Sequence, residues 1–156
     1  MRKSIVPGRS VHSAPLEPAW LDLERLARVE VSSEDPAHPV ESALRIGGSA
    51  SWRAGASGPQ TLRLRFDEPQ LLQRICVHFV ETQHERPQEF VLRWSADGKS
   101  FREIVRQQWN FSPFGSTSEA ENYVVALAGV SVLELDIVPD TSGGDARASL
   151  AALRVA

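Results

Sequence analysis

The stretch Glu89-Phe90-Val91-Leu92-Arg93-Trp94-Ser95-Ala96-Asp97-Gly98-Lys99-Ser100-Phe101 decides how this chain is read. Phe90, Leu92 and Trp94 recur at every second position, the spacing of a strand buried on one face, with Arg93 turned outward. Asp97 and Gly98 tolerate the positive φ of a tight turn, and a second strand is expected to leave through Phe101.

The same alternation lies on either side. Leu62, Leu64 and Phe66 alternate with Arg63 and Arg65, and Leu133, Leu135 and Ile137 alternate with Glu134 and Asp136. Antiparallel sheets with one solvated face read this way, whereas parallel strands are apolar throughout. Strands are expected at about 27–32, 61–66, 73–81, 89–96, 101–106, 121–127, 131–138 and 149–155. About eight short strands without convincing helices between them imply an all-β, two-sheet antiparallel jelly-roll sandwich. Residues 1–20 carry Pro7, Gly8, Pro15 and Pro18 and read as an N-terminal arm, leaving residues 21–156 as one β-sandwich domain.

Composition narrows the function. At 156 residues the chain holds one ordinary core, and 42% hydrophobic with 24% charged residues belongs to a globular protein. A net charge of −3 exerts no global pull on nucleic acid. Arg63, Arg65, Arg74 and Arg93 read as a solvated sheet face balanced by acids, so nucleic acid is not an expected partner. Cys76 stands alone, which excludes an internal disulfide. No apolar run has the length of a secretory signal or a membrane span, so a cytoplasmic location is expected. Enzyme chemistry finds no support. The nucleophile elbow, the phosphate loop and the dinucleotide fingerprint are all missing. Cys76 and His78 share a strand face, but two ligands do not make a zinc site. The acidic pairs Glu34/Asp35 and Glu119/Glu121 lack an acid–base partner. Neither catalysis nor a cofactor is expected.

A strand ending in Ser95, one spacer, Asp97-Gly98 and then Phe101 resembles a signature of discoidin domains, also called coagulation-factor type C domains. The resemblance extends over Leu26–Ala156. Val29-Glu30-Val31-Ser32-Ser33-Glu34 is similar to the family's opening strand, and Pro39-Val40-Glu41-Ser42-Ala43-Leu44 to the segment before its first loop. Trp52 stands where the family has its tryptophan. Gln60–Pro69 and Ser149–Val155 resemble a middle and the closing strand. It implies the galactose-binding jelly-roll fold and a binding module that works through its loops. Many members hold a structural calcium through an Asp-Gly after the Ala-Leu and a glutamate in the last strand. Here those places hold Arg45-Ile46-Gly47 and Ala152, so no metal is expected.

The resemblance also directs attention to particular loops. Sugar-binding members carry a hydroxyl-gripping arginine just before the counterpart of Glu89-Phe90, and Arg86 falls there. A guanidinium suits vicinal hydroxyls, with His84 and Glu81 in the same loop as further contacts. Arg86 is expected to be a loop-tip side chain that contributes little to folding. Trp109, Asn110, Phe111 and Phe114 follow a strand closely, and Trp109 either stacks on a sugar or plugs the sandwich, with Asn110 in support. Trp52 and Arg53 follow a Gly-Gly-Ser loop, with Trp52 weighted toward the core, and His38 lies in the loop after the first strand. The expected function is a non-catalytic module that recognises a carbohydrate or similar polyol. The alternative is an intracellular protein-interaction domain of the same fold, docking a partner protein through an apolar patch around the aromatics.

Overall fold

The computed structural model describes Lys3 and residues 19–156. The expected arm, residues 1–20, lies outside the described residues except for Lys3, Ala19 and Trp20. Two four-residue helices accompany eight strands: α1 (Leu23–Leu26), β1 (Ala27–Val31), α2 (Glu41–Leu44), β2 (Trp52–Arg53), β3 (Gln60–Val80), β4 (Arg86–Ser95), β5 (Arg102–Phe111), β6 (Ser118–Val138), β7 (Ser149–Leu150) and β8 (Ala152–Val155).

The expected strands at 61–66 and 73–81 are one strand, β3, and those at 121–127 and 131–138 are one strand, β6. Their mutual register shifts three times between Arg65 and Arg74, around Pro69, where a ladder donor is missing. The first half of β3 pairs with β1 and the second half of β6; its second half pairs with β8 and the first half of β6. The two long strands therefore serve both layers. β4 and β5 extend the first layer, giving the order β1-β3-β6-β4-β5, and β2 with β7 forms a small ribbon. All pairings between these strands are antiparallel.

Between the layers lie Leu62, Leu64, Ile75, Val77, Phe79, Phe90, Leu92, Leu133, Leu135 and Ile137, all buried. The Phe79 and Phe90 rings approach to 5.1 Å across the gap and join the layers. Trp94 departs from expectation. It is only half-buried, because it sits at the hairpin end of β4 opposite the exposed Arg102. The hairpin itself explains the Ser-x-Asp-Gly pattern. The Asp97 carboxylate accepts from the Lys99 and Ser100 amides at 2.8 and 2.9 Å, and the Ser95 hydroxyl receives the Gly98 amide at 2.8 Å. Within this hairpin Gly98 takes the left-handed conformation, at φ +77°.

The outer face of the first layer is a ladder of alternating charge. Arg65 pairs with Glu30, Arg63 with Glu134 at 2.7 Å, Arg93 with Glu134 and Asp136, and Arg106 with Glu89 and Glu103. Arg74 lies over the Trp20 ring at 5.1 Å and donates to Asn122 at 2.8 Å. Arg63, Arg65, Arg74, Arg93 and Arg106 are thus matched by acids and amides.

Near the last strand, Arg154 donates to the carbonyls of Ala43, at 2.8 Å, and Arg45. A guanidinium therefore covers carbonyls of the loop that follows the Ala43-Leu44 pair.

Candidate functional site: a polar cup at one end of the sandwich

Where β3 ends and β4 begins, the loops enclose a cup of about 610 Å³. One wall is the β3–β4 loop, Glu81–Glu85. Another is the β6–β7 loop, from Asp140 through Arg147, and the third is Arg53 of β2 with His38 beside it. Backbone bonds fix these walls to one another. The Thr141 amide donates to the Pro87 carbonyl at 2.8 Å, which ties the β6–β7 loop to β4. The Asp35 amide donates to the Arg53 carbonyl at 2.9 Å and the Arg53 amide to that of His38 at 3.2 Å. This lays the loop after β1 along β2 and brings His38 to the rim. The approach is close: a Cβ on Gly55 would come within 2.7 Å of the Glu34 carbonyl oxygen, so only glycine fits there.

Five of the expected contacts, Arg86, His84, Glu81, Arg53 and His38, line this cup. Arg86 belongs to it differently than expected. It is the first residue of β4, only 3% exposed, with its guanidinium 4.9 Å from the centre of the Phe111 ring. Its Nε donates to Glu81 at 2.9 Å, and its Nη1 to Gln88 at 2.9 Å and to the Pro139 carbonyl. Among the described residues no protein partner engages Nη2. Burial pushes the Glu81 carboxyl up, but the bonds from Arg86 and the Gln83 amide outweigh it and hold the group below the usual carboxylate range. Asp140 is held low by the hydroxyl and amide of Ser142. The cup thus presents a clamped cation, ordered carboxylates and two exposed histidines, a mixture suited to hydroxyl groups.

Trp52, Trp109 and Asn110 do not line the cup. Trp52 is fully buried with its Nε1 bonded to the Ser33 carbonyl at 3.2 Å, so it is a core residue. β5 runs on to Phe111, five residues beyond its expected end, which places Trp109 and Asn110 inside a strand. Trp109 packs half-buried against the core, and Asn110 faces outward. Phe111 is fully buried beneath Arg86. The apolar patch expected for protein docking is therefore not assembled, since among these four residues only Phe114 is an exposed ring, at 99%.

Asp140, Asp145, Arg147 and Ser149 line the cup and were missed in the sequence. The signal for a loop was present in the turn-forming run Asp140-Thr141-Ser142-Gly143-Gly144-Asp145. Its place beside Glu81–Arg86 depends on strand order, which local pattern does not disclose.

No family model matches the chain, and no curated protein matches it. Solved structures do. The chain is similar to a pectin binding carbohydrate binding module at 18% identity and a TM-score of 0.62, covering 84% of this chain and 90% of that one. It is similar to the family 32 carbohydrate-binding module of AlyQ in complex with 4,5-unsaturated mannuronic acid, at 16% identity, TM-score 0.64 and coverage of 89% and 98%. The family 32 module of Clostridium perfringens NanJ, in complex with galactose, gives 13% identity, TM-score 0.63 and coverage of 87% and 96%. At these identities the likeness shows a common fold, the galactose-binding-like sandwich.

Proposed function

We propose that this chain is a non-catalytic carbohydrate-binding module of the discoidin type, and that it holds saccharide hydroxyls in the cup at the β3–β4 end. The observation that carries this reading is Arg86. Glu81, Gln88, Pro139 and the Phe111 ring fix its guanidinium at the cup wall, while Nη2 has no protein partner among the described residues. An immobilised donor beside acceptors from Glu81 and Asp140 matches a vicinal diol without ordering cost at the moment of binding. The shared fold supports the reading, because the neighbours above are themselves named as carbohydrate-binding modules, one as pectin binding and two in complex with a sugar.

One shallow site of this kind binds near the millimolar end, roughly −4 kcal/mol. Amide chemical shifts recorded during titration with single sugars test it. The expected result is saturable shifts confined to the cup, at residues 81–86, 140–149 and around His38 and Arg53, weakened by His84→Ala with no change in melting temperature. Absence of shifts across a panel of neutral and acidic sugars, or shifts confined to the opposite end, overturns it.

A further inference from the structure

Several arginines of this molecule have no carboxylate at ion-pair distance among the described residues, Arg25, Arg28 and Arg102 on open surface and two more in the cup. On the outer sheet face Arg63, Arg65, Arg93 and Arg106 each meet a carboxylate, and in the cup Arg86 meets Glu81. Arg53 and Arg147 also line the cup, and among the described residues no carboxylate lies within ion-pair distance of either. They come from adjoining walls: Arg53 of β2 is the register partner of Ser149 in β7, and Arg147 ends the β6–β7 loop two residues before Ser149. The nearby acids have nearer partners, although the charge of Arg53 is also felt at Asp35. Asp35 accepts from the Ala37 amide at 3.0 Å and faces His38, Glu81 is taken by Arg86, and Asp140 by Ser142. Only Glu85 and Asp145, both exposed at the rim, have no partner of their own among the described residues.

Two guanidiniums that line the same cup without a carboxylate at ion-pair distance offer donors to an anion that enters it. A second observation points the same way. No Phe, Tyr or Trp side chain lines the cup among the described residues, and Val80 is the one large apolar side chain there, so a sugar ring has no stacking platform and is held mainly by polar groups. A carboxylate accepts paired bonds from guanidinium in a plane, which a hydroxyl does not. We infer that the cup takes an acidic saccharide, a uronate, whose carboxylate is held by Arg53 and Arg147 while its hydroxyls face Arg86 and His84. This inference rests on the saccharide reading of the same cup.

The test uses the full chain and matched sugar pairs that differ only at C6: galactose with galacturonate, glucose with glucuronate, mannose with mannuronate. Amide shift titrations are run at low salt and at about 0.5 M salt, where charges are screened within a few ångströms. The acid of at least one pair is expected to bind tenfold or more tightly than its neutral partner. High salt and the double variant Arg53→Gln, Arg147→Gln are expected to remove that advantage. Both side chains line the open cup and Arg53 is exposed, so the variant should melt with the parent, and each single variant should lose part of the preference if the double does not fold. Equal binding of acid and neutral sugar, or an acid preference that survives both arginine changes, overturns the inference while leaving a saccharide site in place. No binding by any of the six sugars overturns both readings.

Discussion

Arg86 and Glu119 are both buried, 3% and 1% exposed, yet the molecule treats them oppositely. Arg86, at the head of β4, has a carboxylate, an amide oxygen, a backbone carbonyl and an aromatic face. Glu119 lies on β6, opposite Phe79, and points between the layers with Glu121 and Tyr123 at the next alternate positions. Among the described residues its carboxyl oxygens have no oppositely charged or neutral partner and face only the Glu121 carboxylate, while the Tyr123 hydroxyl, the Trp109 Nε1 and the Gln88 Nε2 have no hydrogen-bond partner. Burial, then the charge of Glu121, pushes the Glu119 carboxyl up to about 7, and burial pushes the Tyr123 hydroxyl up to about 12. The difference teaches where fixed charge belongs in this fold. It is retained at the cup, where it is clamped, and suppressed by proton uptake inside the sandwich, where only another carboxylate faces it.

The sharpest way to break that contrast is to remove the clamped group. Arg86→Ala leaves Glu81, Gln88 and the Pro139 carbonyl without their donor and exposes Phe111. A buried pair broken on one side costs about 3 kcal/mol, or a fall of roughly 6–12 °C for a chain of this size. This reverses the expectation that Arg86 is a loop-tip residue neutral to folding. A calorimetric melt within two degrees of the parent would show that the clamp contributes nothing. Arg86 is therefore unsuited as a binding probe, and His84 and Arg53 replace it.

Glu119→Gln probes the other side of the comparison. The folded carboxyl is raised above its ordinary value near 4.5, so the fold favours the protonated form. The stability linked to this group is complete below about pH 4.5. It declines as pH rises toward 7, because the unfolded chain has released the proton that the folded chain keeps, and above 7 no further loss follows. The shift corresponds to about 3 kcal/mol, so Glu119→Gln should raise stability by up to that amount at pH 8 and flatten the profile between 4.5 and 7. Urea melts at pH 4.5, 6 and 8 on both proteins read this out. A variant that keeps the parent's slope in that window would show that Glu119 is not the unanswered group.

Much of this was legible in the residues. Alternation at Leu62–Phe66, Phe90–Leu92 and Leu133–Ile137 marks the inner faces, because period two has one physical meaning in a sandwich. Ser95-Ala96-Asp97-Gly98 marks the hairpin, because its side chains satisfy the turn's own amides. Three things were hidden. The merging of two strands into β3, and of two into β6, depends on a bend that pairing partners tolerate, and Pro69 and Gly129 read locally as turns. The extension of β5 through Trp109 and Phe111 depends on β4 offering Gln88 and Arg86 as partners. The cup's second wall, Asp140 to Arg147, meets Glu81–Arg86 only through strand order. Tertiary context also turned Arg86 from an exposed contact into a buried one, since its stem is covered by Phe111 from the neighbouring strand.

Arg154 gives an intermediate case, a half-buried guanidinium answered by carbonyls alone. It donates to Ala43, Arg45 and Leu153 and holds the segment after α2 against β8. Burial lowers its pKa somewhat without neutralising it. Arg154→Ala should cost roughly 2 kcal/mol, the scale of hydrogen bonds made by a charged donor. Because the guanidinium already covers those carbonyls, millimolar calcium should leave the melting temperature of the parent unchanged. Saturating calcium at a hundred times its dissociation constant would add about 2.7 kcal/mol, so a rise of several degrees would refute the assignment.

The smallest effect is expected at Phe114, and it separates the cup from the aromatic turn. The turn is closed by backbone alone: the Ser112 amide donates to the Ser116 carbonyl at 2.9 Å and the Ser116 amide to that of Ser112 at 3.0 Å. The ring is 99% exposed and touches nothing that these bonds require. Phe114→Ala should therefore change stability by less than about 0.5 kcal/mol. It should also leave sugar-induced shifts at residues 81–86 intact, because Phe114 is not among the residues lining the cup. Loss of sugar binding in this variant would mean that the ligand reaches across to the β5–β6 turn and that the cup alone is not the site. Unchanged binding, set beside the loss caused by His84→Ala, would confine recognition to the loops that hold Arg86.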